Sequence, residues 1–263
     1  MPASVFTRSV RDHRRSLMVW ALAVIAYTLM IAAFYPSLQD SMASYQAIID
    51  SMPAVVRDAF AGSDMSSPAG WLDYELFSIM APVAFLVYAV AAGGRGIAGE
   101  EEQGTLDLLL AHPVSRGRVL LEKYAEMLAG VILLTLAQFA SLVASSWIWG
   151  LRLGLVPLLE ASALLGLVGL AFGSIAFLVG AASGHRGLAS GVAGGLAGAM
   201  YLLNVLAPQS QSLERLQPLS LFHYYGTAPL SSGLSGTGAA VLLLTSAACT
   251  AVAYVAFSRR DVA

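Results

Sequence analysis

Hydrophobic positions gather into six continuous runs, at about 17–36, 76–94, 124–149, 155–182, 187–207 and 238–257, separated by polar segments of very unequal length. Each run is close to the roughly 20 residues that a helix needs to cross the hydrocarbon of a bilayer. Apolar residues follow one another instead of alternating, so helices rather than a barrel satisfy the backbone. The pattern predicts an all-α membrane protein, a single transmembrane domain over 1–263 with six transmembrane helices. Only Gly150, Arg152 and Gly154 interrupt the third and fourth runs, which predicts a tight hairpin there. The run from Leu17 to Phe34 is too long for a signal-peptide core and no clean small-x-small site follows, so it is read as an uncleaved first span.

The segments between runs carry patterns of their own. In the loop 37–75, Ile48, Ile49, Met52, Val55, Val56, Ala59 and Phe60 recur at helical spacing opposite Asp50, Ser51, Arg57 and Asp58. This predicts an amphipathic helix at the membrane interface, bent or restarted at Pro53, either capping the bundle or handling cargo. The loop 208–236 holds Pro208, Pro218 and Pro229 with Phe222, His223, Tyr224 and Tyr225 between them. Aromatics there suit the bilayer interface, and a lone His223 fits anchoring better than metal binding.

Composition narrows the class. Of 263 residues, 57% are hydrophobic and 11% charged, where a soluble domain carries about a quarter charged residues. Mean hydropathy is +0.72. The single cysteine, Cys249, lies in an apolar run and supports neither a disulfide framework nor a cysteine metal site. Nucleic acid is not an expected partner; membrane lipid is. Charge placement then sets orientation. Eleven of the 14 Lys and Arg residues flank one side of the six spans: Arg8, Arg11, Arg14, Arg15, Arg95, Arg116, Arg118, Lys123, Arg186, Arg259 and Arg260. Arg57, Arg152 and Arg215 fall on the other. By the positive-inside rule, both ends of the chain are expected on the cytoplasmic side of the plasma membrane.

The membrane interior is nearly free of ionisable groups. Asp73, Glu75 and Glu160 sit at the outer ends of their runs, Glu122 and Glu126 at an inner end, and Gln138 and Asn204 are the main polar residues deeper in, expected to form interhelical hydrogen bonds. Carriers driven by protons or sodium use intramembrane charges or unwound polar sites, so a secondary carrier is disfavoured. An intramembrane enzyme is disfavoured because no span carries a paired metal motif or a catalytic dyad; a non-transporting scaffold stays open. Small residues four apart, Gly169 and Gly173, then Gly187, Gly191 and Gly195, and Gly194 with Gly198, allow close helix approach. Packing within one subunit is the expectation for the fourth and fifth spans, with a dimer seam as the alternative.

The most informative stretch lies between the second and third spans: Gly99, Glu100, Glu101, Glu102, Gln103, Gly104, Thr105, Leu106, then Leu109, Leu110, His112, Pro113, Ser115 and Arg116. Gly104 and Thr105 open a short helix, Leu106, Leu109 and Leu110 give it an apolar face in need of cover, and Pro113 ends it. Ser115 is placed to cap a further helix leading into the third span. The three glutamates read as a solvated acidic patch or as a docking surface for a basic protein.

The acidic residue, Gly-Thr-Leu, leucine-rich turn and Pro-x-Ser-Arg of this stretch resemble the permease subunits of type-2 ABC exporters. The resemblance extends to the basic leader, six spans, long first outer loop and Tyr-Tyr-containing loop before the last span. It implies that Glu100 to Pro113 is a cytoplasmic coupling helix seated on an ATP-binding subunit. It implies an N-terminal interfacial helix over Val5 to Ser16, including Val5, Phe6, Arg8, Val10 and Arg11, and a minor contact through His185 and Arg186. It also implies two permeases, identical or homologous, with two ATP-binding subunits. No G-x-x-x-x-G-K-[ST] phosphate loop occurs, and Gly93-Gly94-Arg95-Gly96 lacks its lysine and hydroxyl residue. ATP and magnesium are therefore expected in the partner and no cofactor in this chain. The expected cargo is amphipathic or hydrophobic, such as a drug, an antibiotic, a peptide or a lipid.

Overall fold

A computed structural model describes residues 5–51, 67–106 and 115–260, with the side chains of 5–12 and 38–50 outside the description. The described residues are mostly helical, with α1 (Val5–Asp50), α2 (Pro68–Leu72), a π turn (Asp73–Phe77), α3 (Met80–Gly96), α4 (Ala98–Glu102), α5 (Arg116–Ile148), α6 (Leu155–Ser183), α7 (Arg186–Leu206), α8 (Gln211–Glu214), α9 (Leu221–Tyr225), α10 (Pro229–Ser232) and α11 (Gly236–Arg259), and with 3-10 turns at Ala207–Gln209 and Gln217–Leu219. Among the described residues, five helices are long and apolar enough to span a membrane, and the bent pair 68–77 and 80–96 passes the same test when taken together, for up to six spans.

Two spans differ from expectation. Among the described residues no separate interfacial helix precedes the first span, because α1 runs unbroken from Val5 to Asp50 through Pro36. Neither Gly nor Pro stands between Val5 and Pro36 to stop it. The second span begins earlier than 76 and bends by 41° between its halves. Pro82 accounts for the bend: it cannot donate to the Ser78 carbonyl, and its ring crowds that group. Ile79 accordingly leaves helical geometry at φ −137°, ψ −54°. Of the amphipathic helix expected after Ile48, α1 carries the chain to Asp50, and 52–66 lies outside the described residues.

The core is organised around α6, whose apolar stretch is 72% buried against 17–39% in the other unbent spans. Its small residues receive α3. A Cβ on Gly93 would sit 2.2 Å from the Gly173 carbonyl oxygen, one on Gly173 3.0 Å from Ala89, and one on Gly169 3.3 Å from Phe85. Gly169 and Gly173 thus pack within the chain, as expected. Gly187, Gly191 and Gly195 do not: among the described residues, nothing stands within 4 Å of a Cβ on any of them, nor on Gly194 or Gly198. The buried ridge of α7 is instead Ala189, Ala193 and Ala197, also four apart, which turns the glycines outward.

The expected hairpin joins α5 to α6, with Gly150 at φ +64° and Arg152 at φ +53°. Gln138 forms an interhelical tie, its Oε1 3.2 Å from Thr28 Oγ1 on α1. Asn204 accepts from Gln217 Nε2 at 3.4 Å, which holds the loop after α7. That loop folds back on the bundle. Phe222 is buried between Phe172 and Tyr201, at ring separations of 5.6 and 5.4 Å, and Tyr225 is also buried, while His223 stays exposed.

Candidate functional site

At the arginine-rich end of the bundle, α3 passes into the short α4, and α4 presents its glutamates to three different helices. Glu100 pairs through Oε1 with Lys123 Nζ of α5. Its other oxygen lies 2.5 Å from Thr105 Oγ1, whose backbone N–H also donates to the Glu100 carbonyl at 2.9 Å. Glu101 receives the Arg260 guanidinium in a fork, Nη2 to Oε1 at 2.5 Å and Nη1 to Oε2 at 2.9 Å. Such bidentate pairs fix geometry as well as energy. Glu102 accepts the Arg186 backbone N–H and Arg186 Nε, each at 2.9 Å. His185, the residue preceding α7, makes no side-chain capping bond, so Glu102 supplies from α4 the negative charge that the start of α7 favours.

The three carboxylates therefore find their first partners within the chain. The pairs grade in exposure. Lys123 is buried, the Glu101–Arg260 pair is about one-fifth exposed on each side, and Arg186 is more than half exposed. Burial raises the Glu100 carboxyl pKa, but hydrogen bonds from Lys123 and Thr105 and the Lys123 charge outweigh it and hold the group below its ordinary value.

Two glycines allow this arrangement. Gly184 ends α6 at φ +72°, and a Cβ there would lie 2.3 Å from Arg260 Nη2 and 2.6 Å from Glu101 Oε2. Gly104 turns the chain at φ +66° after α4, two residues before Leu106. Leu106 is not left for a partner to cover. It is buried with Ile97, Val119, Leu120, Phe177, Ala181, Ala253 and Phe257 in an apolar cluster beneath the ion pairs. Leu109, Leu110, His112 and Pro113 lie outside the described residues. Ser115 caps α5 as expected, its Oγ accepting from the Arg118 N–H at 3.3 Å, and Arg116 Nη1 donates to the Arg260 carbonyl at 2.6 Å. Of the interfacial residues, Val5, Phe6, Arg8, Val10 and Arg11 belong to α1, with side chains outside the description. His185 is exposed.

Lys123, Arg260 and Gly184 were not singled out from the sequence as members of this site. The signal was three consecutive acids at a membrane face where several other polar segments each bring a cation. The geometry gives a segment anchored at its base by three ion pairs and an apolar plug, followed by a leucine-rich stretch.

The family model described as ABC-2 family transporter protein matches residues 3–262. The chain is also 34% identical over 132 residues to the probable ABC transporter permease protein NosY of Pseudomonas aeruginosa, an alignment taking in 46% of this chain and 44% of that protein. The match thus spans less than half the length of that curated relative.

Proposed function

Since the chain belongs to the ABC-2 transporter family and is a membrane permease of an ABC transporter, a family that implies an ATP-binding partner subunit, we propose that it is an exporter permease. In this reading, the segment from Glu100 to Pro113 is the seat of that partner. The observation that carries the reading is the anchoring at the base of that segment. Force applied to a loosely tethered loop would be lost in the loop. Through Lys123, Arg186 and Arg260 it reaches the ends of α5, α7 and α11 together. Nucleotide-driven closure of the partner would thereby bias a two-state arrangement of the spans.

In this reading residues 5 and 260 face the cytoplasm across the plasma membrane, ATP and magnesium are bound by the partner, and cargo moves outward. The complex holds two permeases and two ATP-binding subunits. The outward glycines of α7 support a seam or path against the second permease, since α7 is the least buried of the unbent spans and also the least apolar. Walls of Leu188, Val192, Leu196 and Leu202, all exposed, suit amphipathic or hydrophobic cargo. Co-purification with the ATP-binding subunit tests the reading. Leu109→Asp and Leu110→Asp are expected to lose the partner while the permease alone stays folded; undiminished association in both would refute the assignment.

A further inference from the structure

Backbone carbonyls at a bend in a span must be satisfied by protein, since lipid offers no partners. Three hydroxyls reach carbonyls of the half-span before the bend. Ser78 Oγ donates to the Asp73 carbonyl at 2.9 Å, Tyr27 OH on α1 lies 3.5 Å from that of Glu75, and Tyr225 OH on α9 donates to that of Phe77 at 2.9 Å. The third is buried and comes from the segment after α7. In the opposite direction, the buried Asp73 of the π turn holds that same segment. Its carboxylate accepts the backbone N–H of Leu230 at 2.8 Å, that of Ser231 at 2.9 Å and the Ser231 hydroxyl at 2.5 Å. In a straight second span the Phe77 carbonyl would face the Ala81 N–H, in competition with the Tyr225 hydroxyl.

We infer that Asp73 and Tyr225 form a two-way latch, so that the bend of the second span and the seating of 221–232 over that end of the bundle change together. The segment acts as a lid and the half-span 68–77 as its lever. A hydrogen bond just before the lid, from Ser220 Oγ to the Met200 carbonyl at 2.8 Å, goes to α7 and bypasses the bend. It is therefore the natural control. The inference concerns the chain alone and holds whichever way cargo moves.

Backbone hydrogen exchange of the full chain in lipid nanodiscs tests it. Tyr225→Phe removes one oxygen from the lid, and Asp73→Asn, on the lever, replaces a carboxylate oxygen with a donor that faces the N–H and O–H donors of the lid. Each is expected to raise exchange about tenfold both in 76–84 and in 226–235, because a coupling between two sites is reciprocal. Ser220→Ala is expected to raise exchange in the lid alone. The latch is overturned if Tyr225→Phe leaves 76–84 unchanged, if Ser220→Ala loosens 76–84 as much, or if the rise extends equally to α6.

Discussion

Replacing Gly184 with alanine tests the anchored base through a single methyl group. Two costs are expected. The left-handed backbone at φ +72° costs an L-residue roughly 1–2 kcal/mol. The added Cβ, 2.3 Å from Arg260 Nη2 and 2.6 Å from Glu101 Oε2, also forces the ion pair apart. With both partners about one-fifth exposed, that pair stands between a surface bridge, worth about 0–1 kcal/mol, and a buried one, whose breakage costs about 3–5 kcal/mol. A loss of about 1–3 kcal/mol for the pair brings the total to roughly 2–5 kcal/mol. The assay is denaturant unfolding of the purified permease in mixed micelles, run as a double-mutant cycle with Glu101→Ala. Without the carboxylate, Arg260 is free to swing away, and Gly184→Ala should then cost only the backbone term. An equal cost of Gly184→Ala in both backgrounds would refute the packing argument, since strain alone would then explain it.

Further outcomes follow from the same geometry. The Glu100 carboxyl is held below its ordinary value of 4.5, so the unfolded chain takes up its proton first. Its stabilisation is fully present above that value and is lost as pH falls through the lowered folded value, so wild-type unfolding should steepen there relative to Glu100→Gln. Gly93→Ala drives a methyl into the Gly173 backbone and should destabilise the chain by several kcal/mol, on the order of an overpacked core. Gly191→Ala meets open space and should stabilise an isolated α7 by about 1 kcal/mol through helix propensity while reducing pairing of permeases, read by cross-linking in membranes. Exchanging Glu102 and Arg186 should restore stability only in part over the single changes, because the swap places a cation in Glu102's position against the start of α7.

Much of the fold was legible because lipid leaves few alternatives: a continuous apolar run must be a helix, and the hairpin at Gly150, the cap at Ser115 and the packing of Gly169 and Gly173 follow from local rules. The failures share a cause. Whether Val5 to Ser16 forms its own helix depends on a stop that the sequence does not contain, while the extent of the second span depends on Pro82 and on distant groups such as Tyr225 that make its bend tolerable. Gly187, Gly191 and Gly195 carry the same spacing as Ala189, Ala193 and Ala197, and spacing alone does not say which ridge a neighbour will take. The glutamates were visible as a motif, but their partners stand 23, 84 and 159 residues away in the chain.

The segment beginning at Glu100 is the proposed seat of the ATP-binding subunit. Site-specific photo-cross-linking in the assembled complex tests it most directly, with the probe placed at position 109 or 110 and, as a comparison, at the exposed His223 of the opposite end. A cross-link to the ATP-binding subunit is expected from 109 or 110 and none from 223. Absence of that product from both leucine positions, or equal yield from 223, would contradict it.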